Sequence, residues 1–214
     1  MMSEQAQTTE DAAAAAFTRQ KGHFDHYLAW LSEVEQPSAA DRHVFVMAHS
    51  PASPVICALI DRSEQLRLQN VRVKAIVARL DPGEALRELL ETLSRLAGGT
   101  NRGDLVRWFA KKTLLGAHEQ LVLGSSMCWT GDAMNRDPGK RDALDLFEQA
   151  SPVKVLYGVS SFARIWPICS GLSGTRDRMG LVSAKRGATA GQAGKAPADF
   201  AFERRTDHPA ATRH

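Results

Sequence analysis

No stretch of the 214 residues approaches the roughly 18 consecutive apolar residues that a membrane helix needs. The polar, acidic start has neither the basic nor the apolar region of a signal peptide, so the cytoplasm is the expected location. Cysteine is scarce: Cys57, Cys128 and Cys169 are odd in number and show neither CxxC nor His-paired spacing. Three reduced thiols are therefore expected, with no disulfide framework and no zinc site. GxSxG, P-loop and GxGxxG motifs are absent, which removes the usual α/β enzyme classes and leaves no cofactor to expect.

What is present suffices for a core. Hydrophobic residues make up 43% of the chain, and its length suits one domain with extensions. The net charge of +3 is unevenly placed. Residues 173–214 hold eight Lys and Arg against four Asp and Glu, a net of +4, so residues 1–172 carry −1. The basic character thus belongs to the C-terminal stretch and describes the folded surface poorly.

Residues 1–11 are polar and aperiodic and are expected to be disordered. An amphipathic helix follows over 12–36, where Phe17, Phe24, Leu28 and Leu31 share one face. Residues 43–48, His-Val-Phe-Val-Met-Ala, predict a strand covered on both faces, as in parallel sheets. Ser50 or Ser53 then caps a helix with Pro51 or Pro54 in its first turn, buried through Val55, Ile56, Leu59 and Ile60. A second strand is predicted over 71–77. A second such helix is capped by Asp81, with Pro82 at its first position and Glu84 at its third. This βαβα order implies a partly parallel sheet flanked by helices. Strands over 105–109, 118–123 and 127–130 follow, the last two joined at Gly124 as a hairpin. Residues 153–168 are strand or helix, and 173–214 read as a disordered basic tail.

The order of these elements, with a strand opened by His118, a hairpin, a small-residue turn and a trailing carboxylate, resembles one half of a phospholipase D-type domain. That family's motif is H-x-K-x4-D, then a glycine turn, then an acidic residue. His118 matches the histidine; Gln120 stands at the lysine position and Ser125 at the aspartate position. Gly131 and Asp132 sit near the glycine turn, one residue early, and Glu148 resembles the trailing acid. The resemblance spans residues 42–148 and implies an α/β half-domain over about 42–170. It also implies a site of His118, Gln120, Ser125 and Glu148, with Gly131, Asp132, Arg136, Lys140 and Arg141 as substrate contacts. Single-motif members complete their site by pairing, so a homodimer is implied as well.

Each of these residues has a plainer reading. A histidine at a strand start is ordinarily structural. Asp145 and Glu148 also fit the solvated face of a helix over 140–149, and Asp132 fits a turn cap. Trp108 and Trp129 read as core aromatics, Ser50 beside His49 as a cap, and the His23 and His26 pair lacks a third metal ligand. Phosphoryl transfer needs a cation beside the reacting oxygens, and Gln120 brings none. A relative without hydrolase activity, serving binding or assembly, is therefore the leading expectation. The alternatives are a divergent phosphodiesterase, in which His118 is the nucleophile and Arg136, Lys140 or Arg141 supplies the charge, and a nucleic-acid contact through the basic tail. In each case the partner is acidic or phosphate-bearing.

Overall fold

The structure, a computed structural model, describes residues 2–80, 83–97, 105–109, 117–132 and 144–171, with residues 2–10 as helical backbone alone. A long helix, α1 (Met2–Glu33), comes first. It starts ten residues before the alanine run, since Gln, Glu and Ala sustain a helix and no Pro or Gly interrupts them. Next come β1 (His43–Ala48), α2 (Pro54–Asp61), α3 (Ser63–Leu68), β2 (Arg72–Val77), α4 (Glu84–Leu96) and β3 (Val106–Trp108). The hairpin strands are β4 (Glu119–Leu123) and β5 (Met127–Gly131), followed by β6 (Asp145–Glu148), α5 (Pro152–Ile165), a 3-10 turn (Trp166–Ile168) and β7 (Ser170–Gly171).

The result is a mixed α/β fold whose described residues hold five α-helices and one seven-stranded sheet, ordered β6-β5-β4-β1-β2-β3-β7. β1, β2 and β3 run parallel. β4 lies antiparallel beside β1, β5 and β6 continue outward from it, and β7 closes the other edge against β3. The βαβ core thus carries the hairpin on one flank, while β3 lies on the other flank, away from the hairpin.

Alternation along the strands divides the core. Val44, Val46, Val73, Ala75, Leu121 and Leu123 are buried together with Phe24, Tyr27 and Leu31 of α1, Val55 and Leu59 of α2, and Leu89 and Leu93 of α4. The opposite face packs Val122 and Cys128 on Val155, and Ile76 on Phe162, all against α5. One helix cannot cover seven strands. Phe45 and Met47 of β1 are accordingly only half-buried, where a strand covered on both faces was expected.

Three local expectations change. Ser53 is the N-cap residue of α2 with Pro54 at the first position, yet its hydroxyl makes no capping bond. α4 starts at Glu84 with Gly83 as its N-cap residue, and the expected Asp81-Pro82 cap lies outside the described residues. Residues 145–148 form an edge strand, not the helix face considered above, because Leu146 and Phe147 pair with Thr130 and Trp129 of β5. Residues 153–168, open between strand and helix, are mostly α5, whose Val155 and Phe162 are buried seven residues apart, two helical turns.

The hairpin is fastened to α1 through Trp129. Its indole Nε1 donates to Asp145 Oδ1 at 2.6 Å, and Arg19 of α1 meets Asp145 Oδ2 at 2.7 Å. Nearby, His23 stacks on Phe147 at 4.0 Å, and burial lowers its pKa to about 4. Gly131 lies under the same indole, and a Cβ there would come within 2.2 Å of Trp129 Cζ2. Gly131→Ala should therefore lose about 1–3 kcal/mol in urea unfolding, the usual range for overpacking. Gly22→Ala, on an exposed helix position with nothing within 4 Å, should gain roughly 1 kcal/mol. Equal effects of the two variants would contradict this packing.

Candidate functional site

The carboxyl end of β1, where open α/β sheets place their ligands, gathers four titratable side chains from three segments. The hairpin supplies three of them by register, and His49 comes from the end of β1. Leu123 pairs with Met127 across the Gly124 turn, Gln120 with Thr130, and Glu119 with Gly131. One step further out, His118 faces Asp132, and its Nδ1 lies 2.5 Å from Asp132 Oδ1. The imidazole is 54% exposed and the carboxylate 10%. Because a carboxylate oxygen accepts, the proton of a neutral ring sits on Nδ1, and the lone pair of Nε2 is left available. Among the described residues Nε2 has no hydrogen-bond partner.

Glu119, one residue on, points to the opposite face and is fully buried. Its Oε1 accepts the His49 backbone N–H at 2.9 Å, and the Ser53 hydroxyl bonds to the carboxyl group as well. This is where the Ser53 side chain is engaged instead of capping α2; its oxygen also accepts the Ser50 N–H at 3.1 Å. His49 Nε2 lies 2.8 Å from the Ala117 carbonyl and so carries a proton, which makes Nδ1 of the neutral ring an acceptor, 3.8 Å from Glu119 Oε1. Glu119 Oε2 and His49 Nδ1 are both buried without a partner. Burial above all, and the charge of Asp132 in addition, raise the Glu119 pKa. Glu119, its pKa raised by burial, is thus set 3.8 Å from His49 Nδ1, directly behind the His118 and Asp132 pair.

The other residues singled out from the sequence separate into near and far. Gln120 follows His118 on the same face, with its Oε1 buried and unpartnered. Thr130 is its cross-strand neighbour. Gly131 faces the α1 side beneath Trp129, away from His118. Ser125 lies at the far end of the hairpin, roughly 20 Å along β4 at about 3.3 Å per residue, and donates to the Asp41 carboxylate. Glu148 is opposite Cys128, next to Lys154 at 3.8 Å. Arg136, Lys140 and Arg141 lie outside the described residues.

His49 was named with Ser50 at the end of the first strand but read there as part of a helix cap; Glu119 was missed, although a signal existed. In a strand whose alternate positions are Leu121 and Leu123, Glu119 falls on the apolar side. Among the described residues no group of three or more His, Cys, Asp or Glu could hold a metal ion. No helix there is long and apolar enough to cross a membrane. Cys128 and Cys169 are buried and Cys57 is partly so, all three as free thiols.

Comparison with protein-family models, curated proteins and solved structures finds no match to the chain. What the site can do is therefore read from its geometry.

A carboxyl group whose pKa is raised by folding contributes stability below its unfolded value of about 4.5 and loses it as pH rises through the folded value. Glutamine never ionises. The stability of Glu119→Gln relative to wild type, measured by urea unfolding across a pH series, should accordingly increase as pH rises above about 4.5. A difference that stays flat or shrinks would show that Glu119 is not held in its protonated form.

Proposed function

We propose that the chain is a phospholipase D-like half-domain that presents His118 to a phosphodiester and is completed by a second copy of itself. The carrying observation is the His118–Asp132 pair, an exposed imidazole aimed by a buried carboxylate at 2.5 Å. Such a carboxylate fixes the tautomer and stabilises the imidazolium form, which is what a nucleophilic or acid–base histidine requires.

In this scheme Nε2 attacks phosphorus and the P–O bond to the leaving group breaks. The departing oxygen takes a proton from the imidazolium of the second copy. Water, losing its proton to that same imidazole, then attacks phosphorus and breaks the N–P bond, and both histidines return to their starting states. A single copy offers only half of this. Among the described residues the open hollow beside His118 holds about 10 Å³, less than a substrate needs. Beside the site the same sheet face carries exposed apolar side chains, Leu146 on β6 with Val153, Leu156 and Tyr157 on α5, which suits burial against another chain.

A second reading, binding and assembly without hydrolysis, is favoured by Gln120. It lies on the His118 face where the motif has lysine, and it brings no charge to the reacting oxygens. Turnover of bis(p-nitrophenyl) phosphate separates the two. Slow wild-type hydrolysis should vanish in His118→Ala and rise on the order of 10²-fold in Gln120→Lys, the scale of one transition-state charge partner. If wild type, His118→Ala and Gln120→Lys are equally inactive, the hydrolytic reading is excluded and the binding reading takes its place. A strict monomer by light scattering at micromolar concentration would count against the pairing on which both rest.

A further inference from the structure

The opposite end of the sheet from His118 holds a groove of about 960 Å³. It runs along the amino ends of β1, β2 and β3 and is bounded by the last turns of α3 and α4. Among the described residues that line it, five are cations, Arg42, Arg67, Arg72, Lys74 and Arg95, and none is an Asp or Glu. This occurs within a region, residues 1–172, whose net charge is −1. Five cations are drawn together here against their mutual repulsion.

Two of the five have ordinary duties. Arg67 and Arg95 lie in the last turns of α3 and α4, where a positive charge answers the helix dipole, and Arg67 is paired with Glu64 at 2.6 Å. Arg42, Arg72 and Lys74 have none: among the described residues no carboxylate is within 4.0 Å of them. The Arg42 Nε is also buried without an acceptor. Nor are these charges loosely held. Arg72 and Lys74 share one face of β2, and Lys74 Nζ stands 5.2 Å from the centre of the Trp166 ring. Arg107, adjacent on β3, stacks on the same ring at 4.7 Å and donates to the Trp166 carbonyl at 2.8 Å. A row of pre-positioned cations, mostly guanidinium, matches phosphate oxygens, which accept the planar fork in pairs.

We propose that this groove is a binding site for double-stranded nucleic acid, gripping backbone phosphates without reading sequence. A duplex is favoured over a single strand because, among the described residues of the groove, no aromatic face is free for a base. Trp166 is occupied by Phe162 at 5.2 Å and by the two cations, and His43 stacks on Phe45. The chain's own C-terminal stretch, at +4, has the wrong sign to fill the groove. The site lies away from His118 and does not depend on any reaction there.

The test is fluorescence anisotropy of a labelled 20-bp duplex against the full-length protein over a salt series. Wild type should weaken steeply with salt. Arg72→Gln with Lys74→Gln should reduce the slope of log K against log salt by about 2, near 0.9 for each phosphate that is no longer neutralised, and weaken binding at least 10-fold. The charge-preserving Arg72→Lys with Lys74→Arg should stay within a few-fold of wild type, which separates removal of charge from failure to fold. His118→Ala should bind as wild type does, so that failure of the catalytic reading leaves this result intact. An unchanged slope in the Gln variant would overturn the proposal. So would displacement of the duplex by poly-glutamate at equal charge, which would assign the groove to an acidic polypeptide.

Discussion

The register of one hairpin determines what the site can be. The turn at Gly124 is held by its surroundings: φ is +60°, and a Cβ there would meet the Asp41 carbonyl oxygen at 2.9 Å. With that turn fixed, Leu123 pairs with Met127, and every pair outward follows until His118 faces Asp132. A slip of one residue would exchange the two faces of β4. Glu119 would leave the His49 amide, and Leu121 and Leu123 would leave the core they share with Val44 and Val46. Apolar burial on the α1 side therefore holds the polar pair on the other side in place. Neither half of that arrangement is separable from the other.

Much of this was legible in the sequence. The apolar runs of β1 and β2 and the βαβ order followed from local pattern, as did the hairpin about Gly124, because each signal lies within a few residues. Asp132 was legible in principle, since a three-residue turn closing Leu123 on Met127 sets it opposite His118 by counting alone. It read as a turn cap because Asp beside Gly is common turn chemistry, and the pairing was not carried to the end of the strands. β6 was not legible. Four residues, Asp-Leu-Phe-Glu, fit a helix face as well as a strand, and only pairing with β5 decides between them. The bond from Glu119 to the His49 amide joins positions 70 residues apart, a separation that no local window spans.

Strand alternation also places the two polar regions on one face of the sheet. His118 and Arg72 stand at opposite ends, six strand positions or about 20 Å apart, while Gln120 and Lys74 between them are offset by only two positions, about 7 Å along the strands. Charge is distributed accordingly: the carboxyl groups of Asp132 and Glu119 organise the histidine end, and five cations lie together at the far end, with Glu64 paired to one of them, Arg67. In the proposed pairing, the missing positive charge at Gln120 is the main obstacle to catalysis, and the concentration of cations elsewhere is the basis of the proposed duplex site.

Everything proposed for His118 depends on Asp132 fixing its imidazole. The most direct measurement is the nitrogen-15 spectrum of the His118 ring, recorded at a pH where the ring is neutral, for wild type and for Asp132→Ala. The proton should be on Nδ1 in wild type, with the ring moving to a mixture of tautomers when the carboxylate is removed. A proton on Nε2 in wild type, unchanged by Asp132→Ala, would contradict that role for Asp132.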